Sequence, residues 1–124
     1  MDANDARMAG LHFVVAELFR HGFKAEVISN AEGSDLLVRR GQSRSFAKVV
    51  TIPTIGGWPI SRAVVRHDAV YVFVCLNGPN GHPDFYVAQN DEVAKATANQ
   101  NAPDYRAFAN PDFQNAWHKI GDAP

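Results

Sequence analysis

The sequence places a lysine where a buried strand would carry an apolar residue. Lys48 lies in SFAKVVTI, residues 45–52, and Asp35 opens the preceding segment DLLVRR. An ammonium group among apolar neighbours needs an anionic partner, because an unpaired buried charge is energetically expensive. Asp35 is the candidate nearest in sequence. The simplest interpretation is that Lys48 extends to the rim of a sheet and forms an ion pair with Asp35.

Two predicted strands, 35–40 and 45–52, bring these residues together. Pairing them across a four-residue turn puts Lys48 opposite Leu37. Because side chains alternate between the two faces of a strand, Asp35 shares the face of Lys48 and is its diagonal neighbour, at roughly 7–8 Å. Long side chains can cross that separation.

The remaining pattern predicts a single domain, residues 1–124, of the α/β (α+β) class. We expect one mixed β-sheet of about five strands flanked by helices. The continuous apolar run at 69–76 is typical of a central strand that is covered on both faces. The predicted elements, in order, are a helix over 7–21, strands over 23–29, 35–40, 45–52, 69–76 and 84–88, and helices over 92–97 and 110–121.

The composition is that of a globular domain, with 46% hydrophobic and 20% charged residues. No apolar run approaches the roughly 20 residues of a membrane-spanning helix, and the N-terminus lacks the pattern of a signal peptide. We therefore expect a cytoplasmic protein. The single cysteine, Cys75, excludes a disulfide framework, and the five histidines show no paired metal-ligand spacing.

Basic residues are concentrated in the middle of the chain. Residues 34–66 carry six basic side chains and one acidic one, whereas residues 67–124 carry three basic and seven acidic ones. A local basic zone is compatible with a polyanionic partner, although solvated arginines at the edges of a hairpin would give the same count. Trp58 could stack on an exposed base, or it could pack as a lid on the sheet edge. The candidate nucleic-acid contacts are Arg39, Arg40, Arg44, Trp58 and Arg62.

The order of these segments resembles the PD-(D/E)XK nuclease superfamily, which has the restriction-endonuclease-like fold. The similarity spans roughly residues 10–95. The segments that carry it are VVAELFRHGF, SDLLVRR, FAKVV, GGWPI, VYVFVCLN and HPDFYVAQNDEVAK. The resemblance implies metal-dependent hydrolysis of phosphodiesters, with DNA as the partner. Domains of this fold and size often dimerise, so it also implies a homodimer, although no segment of the sequence identifies an interface.

The resemblance further implies roles for three residues. Asp35 would be the central ligand of a magnesium ion, and Glu17 on the first helix would complete the metal site. Lys48 would orient the attacking water or offset charge on the phosphorus. The alternative for Glu17 is a glutamate at the rim of the helix, paired with His21 one turn later.

One position departs from the family pattern. The family carries Glu, Asp or Gln two residues before the lysine, where this sequence has Phe46, and phenylalanine offers no oxygen to a metal ion. Two functions of different classes follow. A magnesium-dependent nuclease requires an open acidic pocket that faces residues 62–66. A binding or protein-interaction module that has lost catalysis requires a closed ion pair between Asp35 and Lys48. A third hypothesis is a subunit of a larger complex, in which the acidic C-terminal half meets a basic partner.

Overall fold

The chain begins with a long helix, α1 (Ala3–Arg20), which is capped by Asp2. In the computed structural model, which describes residues 1–28, 35–61 and 68–120, the Asp2 carboxylate accepts a hydrogen bond from the Asp5 N–H group at 2.8 Å. This cap satisfies one of the N–H groups that lack a partner in the first helical turn. The helix therefore begins before its predicted start at Arg7. No helix in the described ranges is long and apolar enough to cross a membrane.

Five strands form one mixed sheet, and their spatial order is their order along the chain. β1, β2 and β3 are antiparallel neighbours, β3 and β4 are parallel, and β5 is antiparallel to β4. This confirms the predicted single mixed sheet with helices beside it. The strands are β1 (Lys24–Val27), β2 (Leu36–Arg40), β3 (Ser43–Ile52), β4 (Ala69–Cys75) and β5 (Asp84–Ala88).

Each face of the sheet packs against a different part of the chain. Helix α1 covers the face that carries Ala47, Val49, Val72 and Val74. On the opposite face, the side chains of β3, β4 and β5 pack against Trp58, Phe108 and Val93, which follow β3 and β5 in sequence. β4 is buried along nearly its whole length, as the continuous apolar run predicts.

The β2–β3 hairpin closes more tightly than predicted. Leu36 pairs with Ala47 and Leu37 pairs with Phe46, so the predicted partner of Leu37, Lys48, is displaced by two residues. Gly41 in the connecting turn has a φ of +59°, a conformation that glycine adopts without steric cost. Because side chains alternate with period two, a shift of two residues leaves each of them on its predicted face.

The predicted helix over 110–121 is wrong. The described part of this segment lies along the outer edge of β5, where the Val87 N–H group donates to the Phe113 carbonyl at 2.8 Å and the Asn115 N–H group donates to the Phe85 carbonyl at 2.9 Å. Its helical part is a single 3₁₀ turn, Trp117–Lys119. Asn115 also has a φ of +51°, which no helix contains. The apolar spacing indicated burial correctly, since Trp117 is buried, but edge pairing determines the backbone.

The second helix, α2 (Asn90–Ala96), is present but begins with a different cap. Gln89 stands at the cap position, where Asn90 or Asp91 was the expected residue. The Glu92 carboxylate accepts the Gln89 N–H group at 2.9 Å, and this completes a reciprocal capping box.

We predict that Gly10→Ala destabilises the protein. A Cβ atom at Gly10 would collide with the Thr51 side chain on β3. Overpacking costs about 1–3 kcal/mol, whereas the helix propensity of alanine returns at most about 1 kcal/mol. The measurement is the free energy of unfolding in urea. Gly56→Ala is the matched control, because the nearest atom to its added Cβ is a carbonyl oxygen 3.9 Å away. Equal stability of both variants would show that α1 can move away from the sheet.

Candidate functional site

Asp35 lies immediately before β2 and is bound to β3 by two hydrogen bonds. Its N–H group donates to the Ala47 carbonyl at 3.0 Å. Its Oδ2 atom accepts the Val49 N–H group at 2.8 Å. The carboxylate thus takes the place of the backbone acceptor that β2 would supply if it continued. This contact satisfies a donor in the sheet interior, so Asp35 has a structural role whatever else it does.

Lys48 lies beside this carboxylate. Its Nζ atom is 3.5 Å from Asp35 Oδ2, and the two side chains are 37% and 15% exposed, respectively. The predicted diagonal arrangement rested on a pairing of Leu37 with Lys48, and that pairing is wrong because Leu37 pairs with Phe46. The ion pair itself is present. A pair with this exposure contributes about 0–1 kcal/mol to stability.

Phe46 precedes Lys48 on the same face of β3. Its side chain is half-buried and packs against the apolar cluster that contains Val50 and Trp58. An apolar ring thus lies at the position where the nuclease family carries an oxygen ligand.

Glu17 lies on the other side of the sheet. Helix α1 covers the face of Ala47 and Val49, and Lys48, between them in sequence, points to the opposite face. The Glu17 carboxylate is 2.8 Å from Arg20 Nη1 and 3.9 Å from His21 Nδ1. The structure brings Asp35 and Lys48 together, but it does not bring Glu17 to Lys48.

The oxygen atoms available beside Lys48 do not fit a magnesium centre. Magnesium prefers several oxygen ligands in near-octahedral geometry. Asp35 offers a single carboxylate, one oxygen of which already binds the Val49 N–H group and lies near Lys48. In the described ranges, no group of three or more His, Cys, Asp or Glu residues is arranged to hold a metal ion. The magnesium ion remains an expectation from the resemblance alone.

The same face of the sheet carries a row of basic side chains across three strands. Lys24 pairs with Arg39 across β1 and β2, and Arg39 pairs with Arg44 across β2 and β3. Cross-strand partners share a face, so these three cations and Lys48 lie on one surface. We call this surface the hairpin face, and it consists of Lys24, Glu26, Asp35, Leu37, Arg39, Arg44, Phe46 and Lys48.

A shallow pocket lies on the hairpin face. It has a volume of about 160 Å³ and is lined by Lys24, Ala25, Glu26, Leu37 and Arg39. Small-molecule pockets usually measure roughly 300–1,000 Å³, so this one is too small to enclose a ligand of that kind. The arrangement is more suitable for contact with an extended partner. Sequence reasoning missed Lys24 and Glu26, because their position depends on the pairing of β1 with β2.

Two other candidate contacts point elsewhere. The Arg40 guanidinium lies 4.6 Å from the centre of the Phe23 ring, on the face that α1 covers. Trp58 is completely buried, and its Nε1–H group donates to the Tyr105 carbonyl at 2.8 Å. Its ring stacks on that of Tyr105, so it packs as a lid rather than presenting itself to a base. Arg62, the last candidate, lies outside the described residues.

A polar network at the carboxyl end of β4 was not predicted. Asn77 has a φ of +59°, and its Nδ2 group donates to the Asp84 carboxylate at 2.9 Å and to the His82 carbonyl at 2.8 Å. The Cys75 thiol donates to the Asn77 side-chain oxygen at 3.3 Å. Burial raises the pKa of Cys75. The thiol is therefore a poor nucleophile.

We predict that the role of Asp35 can be separated from its charge. Asp35→Ala leaves the Val49 N–H group without an acceptor and should cost about 1–3 kcal/mol of stability. Asp35→Asn retains a side-chain oxygen that can accept this bond and should cost less. Lys48→Met removes the ion pair with Asp35, which is worth at most about 1 kcal/mol, and should cost less than Asp35→Ala. Urea unfolding of the three variants gives the ranking. A larger loss for Lys48→Met than for Asp35→Ala would contradict the structural role of the carboxylate.

The protein should lose stability in alkaline solution. Burial raises the pKa of Cys75 above its ordinary value of 9.0, and burial, followed by the hydrogen bond between the Tyr105 and Tyr86 hydroxyls, raises the pKa of Tyr105. Folding therefore favours the neutral forms. Their contribution is fully present below the ordinary pKa values and is lost as the pH rises through the higher values of the folded protein. Unfolding free energies from about pH 8 to about pH 11 should fall less steeply in Cys75→Ala and Tyr105→Phe. Identical slopes in all three proteins would contradict this.

Comparison with known proteins does not assign this chain to a family. No protein-family model matches it, and no curated protein matches it significantly.

Proposed function

We propose that this protein binds nucleic acid through the hairpin face and does not hydrolyse it. The observation that supports this most directly is the hydrogen bond from the Val49 N–H group to Asp35 Oδ2 at 2.8 Å. The one carboxylate in the position of a metal ligand is thereby part of the backbone pairing of the sheet.

Hydrolysis needs more than this site offers. Metal-assisted cleavage of a phosphodiester requires an activated water and stabilisation of the leaving oxygen. Glu17 lies on the opposite side of the sheet, and an apolar ring lies at Phe46, so among the residues that the structure describes no second carboxylate of the hairpin face lies beside Asp35. Glu26, its other acid, lies 3.3 Å from Arg39 and at the far strand.

Binding needs only what the hairpin face already has. Four basic side chains lie on it with two acidic ones, and the most exposed of the cations extend from three adjacent strands. Neutralised phosphates release counterions, which makes such a surface attractive to polyanions at moderate salt. Leu37 and Phe46 add half-buried apolar surface between the charges, and sugars and bases can pack on it.

The resemblance to nucleases agrees with this proposal in one respect. A fold that once positioned a phosphodiester would retain a basic surface near the former centre after the metal ligands had changed. Asp35 and Lys48 would then persist because they stabilise the hairpin. The partner class, nucleic acid, is the one that the resemblance implies.

The test measures binding and cleavage together. We expect fluorescein-labelled DNA oligonucleotides to bind the wild type, with an affinity that falls as salt increases. Arg39→Gln/Arg44→Gln should weaken binding for all sequences and reduce the slope of log affinity against log salt by about 1 to 2, because each phosphate contact contributes about 0.7–0.9. Arg7→Gln/Lys95→Gln is the matched control. It removes the same charge from exposed positions outside the hairpin face.

Two outcomes would overturn the proposal. Absence of binding even at low salt, or equal weakening in the control pair, would exclude the hairpin face as a nucleic-acid surface. Cleavage in magnesium or manganese that disappears in Asp35→Asn would instead establish a metal-dependent nuclease. Asp35→Asn suits that purpose because it should remain folded.

A further inference from the structure

The two edges of the sheet differ in how they are covered. The outer edge of β5 is occupied by the segment around Gln114, which forms a bridge with Tyr86. In the part of the chain that the structure describes, β2 is the only strand paired with β1, which therefore ends the sheet. Three of the four residues of β1 are exposed. An uncovered edge of this kind can pair with another strand.

The backbone groups on this edge can be identified from one hydrogen bond. The Ile28 N–H group donates to the Asp35 carbonyl at 3.0 Å, so the backbone N–H and C=O groups of Ile28 point towards β2. Because these groups alternate along an antiparallel strand, the backbone N–H and C=O groups of Lys24 and Glu26 also point towards β2. The N–H and C=O groups of Ala25 and Val27 point outward, away from the sheet.

Two apolar side chains of β1, Ala25 and Val27, lie on the face that α1 covers. Ala25 is half-buried and packs against the core, whereas Val27 at the end of the strand is 52% exposed. An exposed apolar side chain on an edge strand adds surface that a second strand can cover.

We propose that two copies of this chain pair through β1, antiparallel and about a two-fold axis at Ala25. In this register Ala25 lies opposite Ala25 of the second copy, and their outward N–H and C=O groups bond to each other. Lys24 of each copy then lies opposite Glu26 of the other. The strand is therefore complementary to itself in charge, and this feature of the edge selects a second copy as the occupant.

The neighbouring register is disfavoured for the same reason. If the two-fold axis passes through Glu26 instead of Ala25, the outward backbone groups of Ala25 and Val27 can still bond to the second copy. Glu26 then lies opposite Glu26 of the second copy. Like charges that face each other directly are destabilising. Glu26 already lies 3.3 Å from Arg39, so in the favoured register it is flanked by two cations. Lys24 and Glu26 also belong to the hairpin face, so dimerisation is measured without nucleic acid, and either proposal can then fail without the other.

Charge reversal provides the test. The wild type should dimerise with a dissociation constant in the micromolar to millimolar range, because four-residue edges bury little surface. Lys24→Glu places two glutamates opposite each other, and Glu26→Lys places two lysines opposite each other. Each should weaken dimerisation by about tenfold or more, measured by sedimentation equilibrium without nucleic acid.

Two combinations should restore the dimer. Lys24→Glu/Glu26→Lys recovers opposite charges in the same register. An equimolar mixture of Lys24→Glu with Glu26→Lys should form heterodimers in which both charge pairs are complementary, although each variant alone is mostly monomeric. The control is Lys95→Glu, which makes the same change of charge on α2 and should leave dimerisation unchanged.

Each remaining result would overturn the proposal. A wild type that stays monomeric at millimolar concentration excludes the dimer. A dimer that neither single reversal weakens must use another surface. Failure of both the double variant and the mixture to restore association, with native circular dichroism, would show that Lys24 and Glu26 do not face each other across the two-fold axis.

Discussion

The hydrogen bond between Asp35 and Val49 determines what the centre of this molecule can do. β3 extends beyond Ala47, the partner of Leu36 at the start of β2, so the Val49 N–H group lies past the last backbone partner that β2 supplies. The Asp35 carboxylate fills that position at 2.8 Å. An unsatisfied buried donor costs about 1–3 kcal/mol, more than an ion pair of moderate exposure returns. The hydrogen bond with the Val49 N–H group is thus a stronger constraint on the Asp35 carboxylate than the ion pair with Lys48.

The length of β3 has a second consequence. Its alternating side chains contribute to the apolar cores on both faces of the sheet. Val49 packs on the side of α1, and Val50 packs in the cluster of Trp58. Lys48 lies in the middle of β3 on the face of Val50, and its ammonium group reaches the Asp35 carboxylate. The same alternation keeps Glu17 on the far side of the sheet from Lys48. Assembling the three residues into one centre would require a different helix position.

The sequence predicted which face of the sheet a side chain occupies better than it predicted which residues pair across strands. The hairpin register shifted by two residues, yet Asp35 and Lys48 stayed on one face, because period-two alternation tolerates an even error. The C-terminal stripe around Trp117 predicted burial correctly and a helix wrongly. Its backbone partners lie on β5, more than twenty residues earlier, and no local pattern reveals them. Lys24 was missed as a surface residue for a similar reason, since its neighbours come from pairing across strands.

The two ion pairs of the hairpin face differ in solvent exposure, and this difference suits them to different roles. Asp35 is 15% exposed and bound to the backbone, so its pair with Lys48 keeps one geometry. Glu26 and Arg39 are 58% and 54% exposed, and water and salt screen their attraction strongly. An exposed pair can exchange partners at little cost, as the two proposals require when Arg39 contacts a phosphate and Glu26 contacts a lysine of a second copy. A charged residue on an edge strand usually prevents association. In the proposed dimer, the opposite charges of Lys24 and Glu26, two residues apart, would disfavour unrelated edges and favour a second copy of the same strand.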